Sequence, residues 1–395
     1  MVSQHKVVAR VLLVHQPTDG GVGRHVRDLG LGLHARGYEV ILCGPDRPAG
    51  VPTGIKHVQL DLQRALTPRV DLAGVLGLAR IVREVLPDVI HANSSKAGAI
   101  AKLAKPTYPR VPVVYTPHGY AFAGHFSSAA ERRVYRALER ALAPLASCVL
   151  CVCEAEARLA RSIGPKERVQ VVHNGIDPAP IGTADSRLRD LSGRGPVIGA
   201  LTLLRPGKGL ETLIDATSAV VAGHPDAQVV IFGEGPDLGR LTARAQLRGV
   251  QETVHFVGAT DDPPSALRGL DIFVHPSWAE SFPYVILEAM SLGKPIIATD
   301  VGGVSEALST PNNGQLVRPR DAAGLARAIV DLLENPRRRS ALGAAARARL
   351  SDRFTANAMV NGVVSVYDQL VQPGGEAGAV ASLQRQGTTE GLVPG

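Results

Sequence analysis

Two glutamates, Glu280 and Glu288, bracket the run Glu-Ser-Phe-Pro-Tyr-Val-Ile-Leu-Glu. Pro283 favours the first turn of a helix, where its missing N–H has no intrahelical partner to lose. The spacing therefore places Glu280 in a loop and Glu288 on the following helix, two turns later, with the helix N-terminus between them. Backbone N–H groups at such an end bind anions. One carboxylate for sugar hydroxyls, loop amides for a diphosphate and a second carboxylate for ribose hydroxyls would suit a nucleotide sugar. On that reading Glu280, Ser281, Phe282, Pro283 and Glu288 face a donor. Two solvated glutamates flanking an ordinary buried helix would give the same letters.

Other stretches carry related chemistry. Leu204-Arg-Pro-Gly-Lys-Gly209 puts Arg205 and Lys208 at the start of a helical pattern, where two cations and free N–H groups would meet a diphosphate. A capped, solvated turn is the plainer alternative. Asp19-Gly-Gly-Val-Gly-Arg-His25 follows the strand-like Val7–Val14 and opens a helix, an arrangement that binds phosphate through Gly21 and Gly23. A dinucleotide fingerprint would need glycine at position 26, where Val26 stands, and the second strand, Glu39–Cys43, does not end on an acid. A nicotinamide cofactor is disfavoured on both counts. His15, His91, Asn93 and His118 each follow or end a strand-like run, and ligands of parallel sheets gather beyond such ends.

These residues need a frame. Strand and helix patterns alternate along both halves, which predicts α/β architecture with parallel sheets covered on both faces. Residues 178–195, rich in Pro, Gly, Asp, Arg and Ser, read as an interdomain linker. The expected domains are 1–180 and 181–352. A helix over 353–372 follows, and then a tail, 373–395, with few large apolar groups, which reads as disordered.

Glu280 and Glu288, with Ala289-Met290 and Gly293-Lys-Pro-Ile296, resemble the donor-site motif of retaining glycosyltransferases of family 4. His91-x-Asn-Ser-Ser-Lys-Ala-Gly98 and Thr116-Pro-His-Gly119 resemble the acceptor domain of bacterial surface-polysaccharide members, and further matches run to about Leu370. The resemblance implies a GT-B fold: two Rossmann-like doubly wound domains, a cleft between them, and a C-terminal helix crossing back to the first. It implies that Arg205, Lys208, Gly21 and Gly23 face the donor diphosphate. Gly233 and Val257 would line the nucleotide, His118 would lie close to the transferring sugar, and His91 and Asn93 would stand on the acceptor side. Cys153 occupies a position where many relatives have serine. A nucleotide-sugar epimerase and a non-catalytic sugar-nucleotide-binding subunit are the rival functions, and a same-face or covalent-intermediate path stays open.

Composition bounds the rest. With 395 residues, 45% hydrophobic and 20% charged, the chain reads as a globular protein of two domains. No apolar run reaches the ~20 residues of a membrane span, and the N-terminus does not read as a signal peptide, so a cytoplasmic protein is expected. Cys148, Cys151 and Cys153 lie in a continuous apolar run and, like Cys43, read as buried thiols rather than metal ligands. No Asp-x-Asp pair accompanies the site, so neither metal nor cofactor is expected beyond the UDP- or GDP-sugar donor. Residues 1–180 hold 23 lysines and arginines against 14 acids, and the remainder 20 against 22. That asymmetry fits a membrane surface, a phosphorylated acceptor or nucleic acid as partner, or charges that only keep the domain soluble; we expect docking on an anionic membrane surface, and the resemblance implies a lipid-linked or small glycan acceptor. Lys102, Lys105, Arg110, Arg132, Arg133 and Arg136 are the candidate contacts. Aromatic content of 4% argues against single-stranded nucleic acid.

Overall fold

The computed structural model describes residues 8–63, 67–123, 128–179, 182–308 and 312–371. The tail expected over 373–395 lies outside the described residues. The chain forms two compact units. One comprises residues 1–173 and 356–395, and the other Asn174–Thr355.

In the first unit seven strands, β1 (Arg10–His15), β2 (Glu39–Gly44), β3 (Lys56–Gln59), β4 (Val89–Asn93), β5 (Val113–Thr116), β6 (Cys148–Cys151) and β7 (Val169–Val171), pair in the order β3-β2-β1-β4-β5-β6-β7. All pairs are parallel. Crossovers run through helices α1 (Gly20–His34), α2 (Pro68–Val85), α3 (Ser95–Ala104), α4 (Ala129–Leu142) and α5 (Glu154–Arg161). The strands are apolar throughout because both faces are covered. Side-chain alternation sends Val11 and Leu13 of β1 toward α1, and Leu12 and Val14 toward α2 and α3.

The second unit repeats the plan with β8 (Val197–Leu201), β9 (Gln228–Phe232), β10 (Val254–Phe256), β11 (Ile272–His275), β12 (Ile296–Thr299) and β13 (Gln315–Val317), ordered β10-β9-β8-β11-β12-β13 and parallel. Its helices are α6 (Arg189–Ser192), α7 (Leu210–Gly223), α8 (Leu238–Leu247), α9 (Pro263–Arg268), α10 (Tyr284–Ser291), α11 (Val304–Ala307), α12 (Ala322–Glu334) and α13 (Pro336–Arg353). The last helix, α14 (Ala356–Leu370), belongs to the first unit and packs on α1, burying Met359, Val360, Val363, Val366 and Tyr367. In both sheets the strand order reverses at the centre, between β1 and β4 and between β8 and β11. At that point the flanking crossovers leave in opposite directions and open a crevice beyond the strand ends.

The segment expected as a linker is structured over its described part. Leu188 and Leu191 are buried, the Asp185 amide donates to the Ser265 carbonyl, and a Cβ at Gly269 would lie 2.3 Å from Leu188. Its polar letters hide two apolar anchors. The boundary falls at His173 rather than 180 because Asn174 Nδ2 donates to the Phe282 carbonyl and Ile176 bridges Thr355. Residues 353–355 likewise stay with the second unit, where the rings of Phe354 and Phe282 lie 5.3 Å apart. All four cysteines are free and buried, and burial pushes the Cys43 and Cys148 thiols up to about 12. Cys153 Sγ accepts from the Glu156 amide at the start of α5, the capping role a serine would fill.

Candidate functional site

In the second unit, the loop after β8 (residues 202–209) and the loop after β11 (residues 276–283) leave the two strands at the switch point. The same backbone contacts fix both loops. Gly209 sits at φ +68°, and a Cβ there would lie 1.8 Å from the Pro276 carbonyl oxygen; only glycine allows the two loops so close. The Trp278 amide donates to the Gly207 carbonyl at 2.8 Å, and its indole N–H to Thr212 Oγ1 at 3.2 Å. Across this seam Lys208 Nζ donates to Glu280 Oε1 at 2.6 Å, with the two side chains 15% and 14% exposed. His275 Nε2, at the end of β11, lies 3.3 Å from the same oxygen. Burial alone would raise the Glu280 pKa. Lys208 and His275 overcome it and hold the carboxyl well below its usual range. Arg205 is exposed at the mouth of the first loop, with no side-chain partner among the described residues.

Further glycines bring neighbouring loops in. Gly233 and Gly235, both at positive φ, lie against the carbonyls of Thr202 and Leu204, and the Gly233 amide donates to Gly258. Val257 stands half-buried beside them. Arg187 holds this edge, donating to the carbonyls of Val257 at 2.8 Å and Ala259 at 2.9 Å with its guanidinium over Phe232. From β12, Gly302 abuts Glu280 so closely that a Cβ would lie 1.7 Å from its carbonyl oxygen, and the Gly303 amide donates to Ser281.

Several expectations change in detail. Helix α10 begins at Tyr284 with Pro283 as its N-cap rather than in its first turn, and Glu288, on the helix as expected, is buried. Phe282 is 4% exposed and packs on Phe354, so its side chain is part of the core, and its carbonyl accepts from Asn174 Nδ2 at 2.9 Å. Ser281 is half-buried.

In the first unit, the loops after β1, β4 and β5 carry the polar residues. His118 takes φ +54°, strained for a residue with a Cβ. Asn93 Nδ2 donates to the His91 carbonyl, which leaves its Oδ1, 3.1 Å from His118 Nε2, to accept the proton of that ring. Burial, with His25 and His91 nearby, holds the His118 pKa well below the histidine range, so the ring is neutral with Nδ1 as its acceptor. The His25 ring meets it edge-on at 4.5 Å. Glu156 braces the turn by accepting from the Gly119 amide at 2.5 Å and the Val152 amide at 2.9 Å.

His91 differs from its expected place on the acceptor side. It is fully buried, with Nδ1 2.7 Å from the Tyr367 hydroxyl and Nε2 2.8 Å from Thr116 Oγ1, which leaves no ring atom for an acceptor. Burial beside His25 lowers its pKa to about 3. Asn93, also buried, acts on His118. Of the glycine turn, Gly21 is exposed in the first turn of α1, whereas Gly23 is buried. A Cβ at Gly23 would lie 1.9 Å from the Thr18 carbonyl oxygen, so internal packing already demands glycine there. Among the described residues no cluster of three or more His, Cys, Asp or Glu could hold a metal ion.

Sequence reasoning missed His25, Glu156, Arg187, His275 and the Gly302–Gly303 turn as parts of these sites. A signal existed for the last, a glycine pair soon after an apolar strand, and for His275, which ends the strand five residues before Glu280. His25, Glu156 and Arg187 act through contacts distant in sequence.

Residues 19–180 match the family model "Glycosyltransferase Family 4", and residues 189–349 match "Glycosyl transferases group 1". A D-inositol 3-phosphate glycosyltransferase of Salinispora arenicola is 30% identical over 317 residues, covering 72% of this chain and 69% of that protein. A glycogen synthase of Mycobacterium tuberculosis is 28% identical over 386 residues, covering 88% and 91%. Among solved structures, Anabaena Alr3699/HepE in complex with UDP and glucose is 25% identical with a TM-score of 0.77, covering 91% of this chain and 99% of that one. Sucrose-phosphate synthase from Thermosynechococcus elongatus, at 23% identity and a TM-score of 0.78, shares the fold. With two parallel α/β units of this order and these relatives, the chain has the GT-B fold and belongs to glycosyltransferase family 4.

Proposed function

We propose that the protein is a retaining glycosyltransferase that uses a UDP- or GDP-linked hexose or N-acetylhexosamine and acts on a lipid-linked or polysaccharide precursor in cell-envelope glycan synthesis. The observation that carries the donor side is the meeting of Lys208 and Glu280, from two separate loops, at the switch point of the second sheet. Fixed charges in a half-buried crevice need no reorganisation when a diphosphate takes on negative charge, and this is usually a large term in catalysis. Binding of UDP and glucose by the HepE relative supports the same donor class.

In the reaction the bond between the sugar C1 and the diphosphate oxygen breaks, and the electron pair leaves with the nucleoside diphosphate. The acceptor hydroxyl oxygen bonds to C1 on the face just vacated, and its proton passes to the departing phosphate. Arg205 and Lys208 neutralise that phosphate, so no metal ion is required. Glu280 is shared between Lys208 and the sugar hydroxyls, and Glu288 holds the ribose end. Neutral His118, with Nδ1 as acceptor, orients a sugar hydroxyl. Ser281, Pro283 and the backbone of Phe282 supply the start of α10, and Gly233 and Val257 line the base. The acceptor side lies in the first unit, on the cytoplasmic leaflet.

The test incubates the purified chain with a panel of UDP- and GDP-sugars and isolated polyprenyl-diphosphate-linked glycans. Proton NMR of the product should show the anomeric configuration of the donor. An inverted product, or conversion of the donor sugar to its epimer with no transfer, would replace this reading.

A further inference from the structure

We propose that the outer face of the α2–α3–α4 layer in the first unit is a docking surface for an anionic lipid bilayer, into which exposed aliphatic side chains insert. Of the ten large hydrophobic residues exposed among the described residues, five lie on these helices: Leu72 and Leu76 on α2, Leu103 on α3, Val134 and Leu138 on α4. They are between 43% and 63% exposed. The three helices are neighbours on one side of the sheet, α2 against α3 and α3 against α4. Within α2 and within α4 the exposed pair is spaced i, i+4, so each pair shares one face.

The charges around these residues have one dominant sign. Helices α2 and α4 expose seven arginines, and their only exposed acids are Glu84 and Glu131. Arg69 and Arg80 flank Leu72 and Leu76 at helical spacing, with Arg80 also paired to Glu84, while on α4 Val134 and Leu138 form one face and Arg132, Arg133, Arg136 and Arg140 occupy the other side of the helix. On α4 the inner face is thin: only Glu139 is buried. The α2 face that carries arginines beside exposed leucines, and the segregated apolar and basic sides of α4, suit the plane of lipid headgroups, with arginine stems lying on apolar surface and their guanidinium groups reaching phosphate. A nucleic acid would match the arginines but leave the five aliphatic side chains in water.

Two residues expected at such a surface take no part. Lys102 is 1% exposed and donates to Glu139 Oε2 at 2.9 Å, and Tyr115 donates to the other oxygen of that carboxylate. Lys105 donates to the carbonyls of Pro109 and Val111. The sequence total of positive charge therefore overstates what the surface offers, and the arginines of α2 and α4 remain.

The inference rests on the lipid-acceptor reading for its purpose, but binding can be measured with no sugar present. The full chain is sedimented with vesicles of phosphatidylcholine alone and of phosphatidylcholine mixed with phosphatidylglycerol, at low and high salt. Binding should appear only with the anionic lipid and weaken as salt rises. Charge reversal of either Arg69 or Arg80 should weaken binding by about fivefold or more, from roughly 1 kcal/mol per neutralised contact. Leu72→Ser with Leu76→Ser should cost about tenfold. These side chains are exposed, so the fold should survive, which circular dichroism checks. Arg337→Glu, on α13 of the second unit, should leave binding unchanged. No binding to anionic vesicles at low salt, equal loss with Arg337→Glu, or indifference to the serine pair combined with tighter binding to a DNA duplex would each overturn the proposal. Transfer to a detergent-solubilised lipid acceptor separates the two readings: transfer without vesicle binding sinks the docking surface alone, and vesicle binding without transfer sinks the acceptor reading alone.

Discussion

Replacing Lys208 by methionine should reverse the way the second unit responds to acid. In the wild type Lys208 Nζ and Glu280 Oε1 are 2.6 Å apart, both side chains about 85% buried by their exposures of 15% and 14%. At an effective dielectric constant of about 20 the raw attraction at that distance is roughly 6 kcal/mol, and desolvation of both ions offsets much of it. Removing one partner of such a pair costs about 3–5 kcal/mol because the remaining charge stays buried. The sign of the pH dependence follows. With Lys208 present, the Glu280 pKa is depressed below its ordinary value of 4.5, so the stabilisation is full above that value and is lost as pH falls through the folded-state pKa. With Lys208 removed, burial dominates and the folded pKa rises above 4.5. The variant should then gain stability as pH falls from 7 toward that value, where the wild type gains none from this group. The assay is urea unfolding at a series of pH values, followed by the fluorescence of Trp278, the single tryptophan, two residues from Glu280. Lys208→Met with Glu280→Gln should recover most of the loss. A Lys208→Met variant within about 1 kcal/mol of wild type, with an unchanged pH slope, would refute the pairing.

Gly302→Ala should lower stability by at least about 2 kcal/mol and abolish donor binding, because φ +54° and the Glu280 carbonyl both exclude a Cβ; thermal unfolding with and without UDP or GDP checks it. His91 is held at about 3 against an ordinary 6.5, so below pH 6.5 the unfolded chain binds a proton the folded one does not. Stability should therefore fall by about 1.4 kcal/mol per pH unit from that residue, and the slope should flatten in His91→Gln. Glu288→Gln should weaken nucleoside diphosphate binding about tenfold while Glu280→Gln acts on turnover, a split that calorimetry and initial rates distinguish. Transfer should persist in EDTA; loss that magnesium restores would show that the two cations are insufficient.

The sheets were legible because fully buried parallel strands are written as unbroken apolar runs such as Val11–Val14 and Ile272–Val274. The candidate loops after β8 and β11 were legible as loops because a helix start after such a strand has few residue choices, and Arg205, Lys208 and Glu280 are conspicuous there. Two kinds of feature were not. Residues 182–195 look like a linker by composition, yet two leucines suffice to dock them, and composition does not register so small a core. His91 and Lys102 look like ligand or surface groups by type. Their burial depends on Tyr367 and Glu139, 276 and 37 residues away, which local pattern cannot connect. Gly23 shows the same limit: its glycine is required by Thr18 in the turn before it, independently of any phosphate.

The most direct test of the account is calorimetric titration of the wild type, Arg205→Ala and Lys208→Ala with UDP and with GDP. One of the two nucleotides should bind the wild type saturably at one site per chain, and each variant should bind it about tenfold more weakly or worse, from the loss of roughly 1.5–3 kcal/mol per charged hydrogen bond. Equal affinity of all three proteins, or no binding of either nucleotide to the wild type, would contradict a donor site at the Lys208–Glu280 seam.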